Sequence, residues 1–159
     1  MLLNTSFFMK NKLLLILSFL LIGLYSCSSD DSKSDVNFIR AKFNGTELKF
    51  NIVNVQITPE ITDPDTNYTY KDIIVTATMN SDASKTLIIS SEFNVTGVDE
   101  IWRFSYGNNG AIYDLNDENF TSEITQNSGG RYTGIFQGSL NGSSENIVIT
   151  EGSFDIIYQ

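Results

Sequence analysis

Nineteen carboxylates and no histidine stand in these 159 residues, so any acid–base chemistry falls to Asp, Glu, Lys, Tyr and hydroxyl groups. Without an imidazole, Ser-His-Asp and Cys-His nucleophiles and His-containing zinc sites are excluded. Paired acids could hydrolyse a glycosidic bond, which needs two carboxyl groups roughly 5–10 Å apart. Asp99, Glu100, Asp114 and Glu118 are candidates, but among 19 acids some pair always exists and nothing singles one out. No catalytic residue is therefore assigned, and the chain is not expected to be an enzyme. Asp63-Pro64-Asp65-Thr66-Asn67 sets oxygens at alternate positions, as the start of a calcium loop does. Its sixth position is Tyr68 where Gly is needed and its twelfth is Ile74 where Glu is needed, so the pattern fails where it is most demanding. Asp114-Leu115-Asn116-Asp117-Glu118 is a second oxygen-rich cluster that would need ligands from elsewhere. No metal site and no cofactor is expected.

Flat apolar rings stack on carbohydrate, which makes Trp102, Tyr106 and Tyr113, with Phe120 and Tyr132, the candidates for a ligand-binding face. The bland reading competes with this one. Trp102, Phe104 and Tyr106 alternate at strand spacing, as a core-facing strand requires, and the spacing favours the core. Five Asn-x-Ser/Thr triplets, beginning at Asn44, Asn67, Asn94, Asn119 and Asn141, read as turn chemistry.

The only thiol is Cys27, so no disulfide can form within the chain. It follows Met9-Lys10-Asn11-Lys12, which carries two positive charges, and the apolar stretch Leu13 to Leu24. About 12 apolar residues make a helix of about 18 Å, short of the ~30 Å hydrocarbon core, so a signal segment fits better than a span. Met9 is an alternative start. Leu24-Tyr25-Ser26-Cys27 resembles a bacterial lipoprotein cleavage site, with Tyr25 bulkier than is usual there. The resemblance implies cleavage between Ser26 and Cys27 and lipid on Cys27, with residues 1–26 as signal peptide. Residues 27–35, through Ser28-Ser29-Asp30-Asp31-Ser32-Lys33-Ser34-Asp35, cannot bury apolar surface and read as an acidic tether. A similar acidic segment follows the lipid cysteine in surface-displayed lipoproteins of the Bacteroidota.

Cys27 to Gln159 is long enough for one domain with its own core, here residues 36–159. All 19 acids fall after the leader against 8 of the 10 basic residues, a net charge of 8 − 19, or −11. Such a surface repels phosphate backbones, so nucleic acid is not an expected partner.

Strand signals pervade the domain. Asn37 to Phe43 and Thr46 to Phe50 flank Asn44-Gly45, a hairpin signature because both central residues need positive φ. Ile52 to Ile57 continues as a strand, and Thr58 to Thr69, holding both prolines, reads as a loop. Lys71 to Met79 and Thr86 to Ser91 alternate, while Phe93 to Val98 is ambiguous. Glu100 to Tyr106 precedes a turn at Gly107 to Gly110, then come Ala111 to Leu115, a polar interval, and Phe120 to Thr125. Gln126 to Gly130 reads as a loop. Arg131 to Leu140, Asn146 to Thr150 and Ser153 to Tyr158 follow, with turns at Asn141-Gly142 and Glu151-Gly152. Nine or ten strands with short connections predict an all-β, single-domain antiparallel meander, closed as a β-sandwich or flattened β-barrel, with a lipocalin-like barrel as the alternative.

Gly134-Ile135-Phe136-Gln137-Gly138 and Asn146-Ile147-Val148-Ile149-Thr150-Glu151-Gly152-Ser153-Phe154-Asp155 resemble the C-terminal signature of small Bacteroidota lipoproteins of unknown function. Phe38-Ile39-Arg40-Ala41-Lys42-Phe43-Asn44-Gly45 is similar to their opening hairpin. The resemblance implies a lipid-anchored β domain and carries no catalytic residues. Physically, Gly134 and Gly138 should let a neighbour approach beside Phe136, Gly152 should supply positive φ to a turn, and Phe154 should anchor the core.

The expected function is a binding or scaffolding module anchored to the outer membrane, with surface display the expectation that the acidic segment adds, and its partner is an envelope protein or a glycan. A lipocalin-like carrier of a small apolar ligand and a carboxylate-dependent glycan enzyme are the alternatives.

Overall fold

The computed structural model describes residues 37–159. The expected signal peptide, the expected Ser26/Cys27 cleavage and lipid site and the expected tether lie outside the described residues.

The described domain is all-β and antiparallel, and its elements follow chain order. They are β1 (Phe38–Phe43), β2 (Thr46–Phe50), β3 (Ile52–Ile57), β4 (Ile61–Thr62), β5 (Thr69–Tyr70) and β6 (Asp72–Met79). Then come β7 (Asp82–Glu92), β8 (Gly97–Val98), β9 (Ile101–Asn108), β10 (Ala111–Ser128), β11 (Arg131–Gly142) and β12 (Asn146–Ile157). The main sheet runs β2-β1-β12-β11-β10-β9-β7-β6-β3, with β8 added beside β10, while β4 and β5 form a separate two-stranded pair.

The two ends of this sheet are consecutive pieces of chain. β2 pairs with β1, the chain bends at Asn51, and β3 pairs with β6. The Asn51 N–H donates to Thr78 O at 3.2 Å, and its side-chain oxygen accepts from Asn80 N–H at 3.0 Å. The chain thus passes through Asn51 from one sheet end to the other, and the sheet is nearly closed into a barrel-like shape. Near-closure leaves little unpaired edge for other strands to join.

Hairpin chemistry sets the register. Asn44 and Gly45 both take positive φ (47° and 80°), as the Asn-Gly signal demands. Asn44 also accepts from Val148 N–H through Oδ1 at 2.8 Å, and Asn37 does the same for Ile157 N–H at the other end of β1. Two asparagines therefore hold β1 to β12 at both ends.

Inward residues fill the interior. Phe43, Phe50, Phe104, Tyr106, Tyr113, Phe120, Tyr132, Phe136 and Phe154 are all buried, and neighbouring rings meet at centroid separations of 4.5–6.4 Å. Tyr132, fully buried, donates to Ser91 Oγ at 3.0 Å, and burial pushes its phenol pKa far up.

Several local expectations are corrected. Glu151-Gly152 is no turn: β12 runs through it with a bulge, and the positive φ (56°) belongs to Glu151. Gly152 is instead a close-approach site, because a Cβ there would stand 2.5 Å from the Phe136 ring. β11 extends through Asn141-Gly142, and β10 through both the polar interval and Ser128, leaving Gly129-Gly130 to turn the chain. Between Leu115 and Phe120 the β10–β11 register shifts, so the polar residues bulge without ending the strand. The proline-containing loop holds the β4–β5 pair, and Phe93 to Val98 contributes only β8.

Candidate functional site

Trp102 was expected on the inward face with Phe104 and Tyr106. A bulge prevents it. Ser90 pairs with Arg103 and Ser91 with Ile101, so Trp102 is the extra residue on β9. An extra residue re-aims its side chain. Ile101, Phe104 and Tyr106 point inward and are buried, while Trp102 turns outward and is 55% exposed.

The β4–β5 pair places two more rings beside it. Tyr68 and Tyr70 alternate outward around β5, and their rings stack at 6.0 Å with 15° between planes. Asp72 opens β6 and faces the same way, and its register partner on β7 is Glu92. Tyr68, Tyr70, Asp72, Glu92 and Trp102 together line an open cleft of about 380 Å³ on the outer wall. Thr58 holds this corner, since its Oγ1 accepts from Asp72 N–H at 2.8 Å and its own N–H donates to Asp72 O at 2.9 Å.

Neutral groups stand beside the two carboxylates. The Tyr68 hydroxyl donates to Glu92 Oε1 at 2.5 Å, which pushes the Tyr68 pKa up. The Trp102 indole shares the cleft wall with Asp72. Burial raises the Asp72 pKa, with the nearby Glu92 charge adding to it, against the lowering effect of the indole N–H. Lys71, between Tyr70 and Asp72 in the chain, turns to Glu60 at 3.4 Å. Among the described residues no lysine or arginine forms an ion pair with Asp72 or Glu92.

A larger cleft, about 520 Å³, crosses β8, β10, β11, β12 and β1 over Val98 and Ile135. Two of its three charged side chains are engaged: Glu151 pairs with Lys42 at 2.6 Å and Arg40 donates to Ser153 Oγ at 3.1 Å, which leaves Glu123. It offers less unmatched chemistry than the aromatic cleft.

The other sequence candidates are scattered. Tyr106 and Tyr113 are buried and stack on each other inside the barrel at 5.9 Å, so the three candidate rings do not form one face. Asp114 accepts from Ser105 Oγ at 2.7 Å, and Asp99 accepts from Ser122 N–H at 3.0 Å, each within its own strand neighbourhood. Asp63 Oδ1 accepts from both Asp65 N–H and Thr66 N–H at 2.8 Å, and these backbone bonds lower its pKa. That carboxylate closes a turn. Tyr68 was missed because 58–69 read as a loop, Tyr70 because it fell between that loop and the next strand, and Asp72 and Glu92 because nothing singled them out among 19 acids. Their available signal was the alternation Tyr68-x-Tyr70-x-Asp72, which sets three side chains on one face of an extended segment.

No protein-family model, curated protein or solved structure matches the chain.

Proposed function

We propose that this chain is a lipid-anchored binding module of a bacterial outer membrane, of Bacteroidota type, whose β domain holds a glycan against the cleft at Trp102. The observation that carries the binding site is the bulge that turns the chain's one tryptophan out of the core and beside two stacked tyrosines. Flat ring faces suit the apolar faces of a sugar, and the carboxylates accept from its hydroxyls. Anchoring through Cys27 rests on the leader and on the acidic segment after it. The carrier alternative is disfavoured by an interior already occupied by aromatic rings.

Trp102 reports on its own site. Titrating the full chain in non-ionic detergent with neutral and amine-bearing oligosaccharides should change its emission for at least one of them. Calorimetry with Trp102→Ala and Tyr68→Ala variants should then show the binding lost. Emission unmoved by every sugar would end the glycan reading.

The Asp72–Glu92 pair also supports a hydrolytic reading, since two acids converge beside rings that could hold a sugar. Reducing ends released by the native chain and not by Glu92→Gln would favour it.

A further inference from the structure

The cleft carries a charge problem that a neutral sugar does not solve. Asp72 is 9% exposed, its register partner is Glu92, and the two repel. Glu92 accepts from the neutral Tyr68 hydroxyl, Asp72 lies on the cleft wall with the neutral Trp102 indole, and neither meets a cation among the described residues. Two carboxylates held side by side at an aromatic wall form a receptor for positive charge. The rings add to this, because the faces of Trp and Tyr attract cations. Of the organic cations, a primary ammonium fits best, since it donates three hydrogen bonds and the carboxylates are acceptors. A quaternary ammonium would leave those acceptors unused.

We propose that the cleft recognises a hexosamine whose amine is free and protonated, its ring on the Trp102, Tyr68 and Tyr70 surfaces and its ammonium between Asp72 and Glu92. This rests on the glycan reading and names the sugar class. The flat stacked tyrosines argue for a ring-borne amine over a lysine side chain, which would use the charges and leave the ring faces uncovered. The acidic chain, net charge −9, draws such a ligand and repels phosphorylated or uronic sugars.

The test compares two trisaccharides of one skeleton, the β-1,4-linked glucosamine trimer and its tri-N-acetyl form. Both are titrated by calorimetry into the full chain, at a pH where the free amines are protonated. The free-amine trimer is expected to bind about tenfold tighter, equivalent to about 1.4 kcal/mol. The preference should shrink as salt is raised. Asp72→Asn/Glu92→Gln should erase the preference while keeping the weaker binding of the acetylated trimer, with far-ultraviolet circular dichroism confirming the fold. Equal affinity for both trimers would overturn the ammonium proposal and leave the glycan site standing. Binding of neither would remove both. A lysine amide that binds as tightly as the glucosamine trimer would overturn the sugar part. A preference surviving in the double variant would put recognition elsewhere.

Discussion

Gly152 lies directly across from Phe136 on the neighbouring strand, with the phenyl ring laid over the space a side chain would occupy. One step along, Gly134 faces Phe154 in the same way, so Gly-x-Phe on β11 interlocks with Gly-x-Phe on β12. Gly142 and Tyr113 repeat the pairing between β11 and β10. Each glycine makes room for a ring, and each ring covers backbone that glycine leaves bare. Gly134, Gly142 and Gly152 are therefore packing devices.

Gly152→Ala should therefore overpack the interior. A methyl would stand 2.4 Å from Phe136 O and 2.5 Å from its ring, with backbone among the obstacles. A loss of about 1–3 kcal/mol is expected, read as a lower urea midpoint. Gly45→Ala meets no neighbouring atom and should be limited to the cost of its positive φ.

Trp102→Ala and Phe104→Ala should behave oppositely although they are two residues apart. Phe104 is fully buried against Phe120 and Phe136, at 5.1 and 4.8 Å, and its removal should cost about 3–5 kcal/mol. Trp102 sits outside, so its loss should move the midpoint little while abolishing sugar binding. Denaturation and calorimetry on both variants separate the roles.

Tyr132→Phe isolates one buried hydrogen bond. It keeps the ring against Phe154 at 4.6 Å and removes the donor to Ser91 Oγ. About 1–2 kcal/mol should be lost, with thermal unfolding still cooperative.

Acid titration should show two aspartates working in opposite senses. Asp82 is drawn down to about 2, first by its hydrogen bond from Lys85 and then by Ser84. Its folded pKa lies below the unfolded one, so its contribution is present above the ordinary aspartate range and is lost as pH falls toward 2. Asp72 is raised by burial and by Glu92, so its ionisation weakens the fold as pH rises from the ordinary aspartate value through the raised one. Urea midpoints from about pH 2 to 7 should lose the first slope in Asp82→Asn and the second in Asp72→Asn. An unchanged profile in Asp72→Asn would show that its carboxyl feels no such penalty.

Fold class was legible because alternation and turn chemistry agreed. Asn44-Gly45 marked its hairpin, and Ile73, Val75 and Ala77 alternated into the core as their spacing required. Strand lengths were not legible. Glu151 and the residues between Leu115 and Phe120 look like breaks, yet the sheet absorbs them as bulges whose partners lie far along the chain. The site failed for the same reason. Strict alternation puts Trp102 inside, and only the pairing of β9 with β7 reveals the extra residue that turns it out.

The pairing of β1 with β12 has a kinetic consequence. Arg40 and Ser153 are 113 residues apart, and Asn37 and Ile157 are 120, so this seam depends on the longest loop closure in the domain. Contacts so distant in sequence slow folding. The hairpins from β6 to β11 can zip one after another as neighbours, but β1, paired with β2, has no partner for its second edge until the final strand arrives. The sheet is joined across this seam by its last twelve-residue strand, and a chain cut short of Asn146 would hold most of its core residues and still leave β1 and β11 apart.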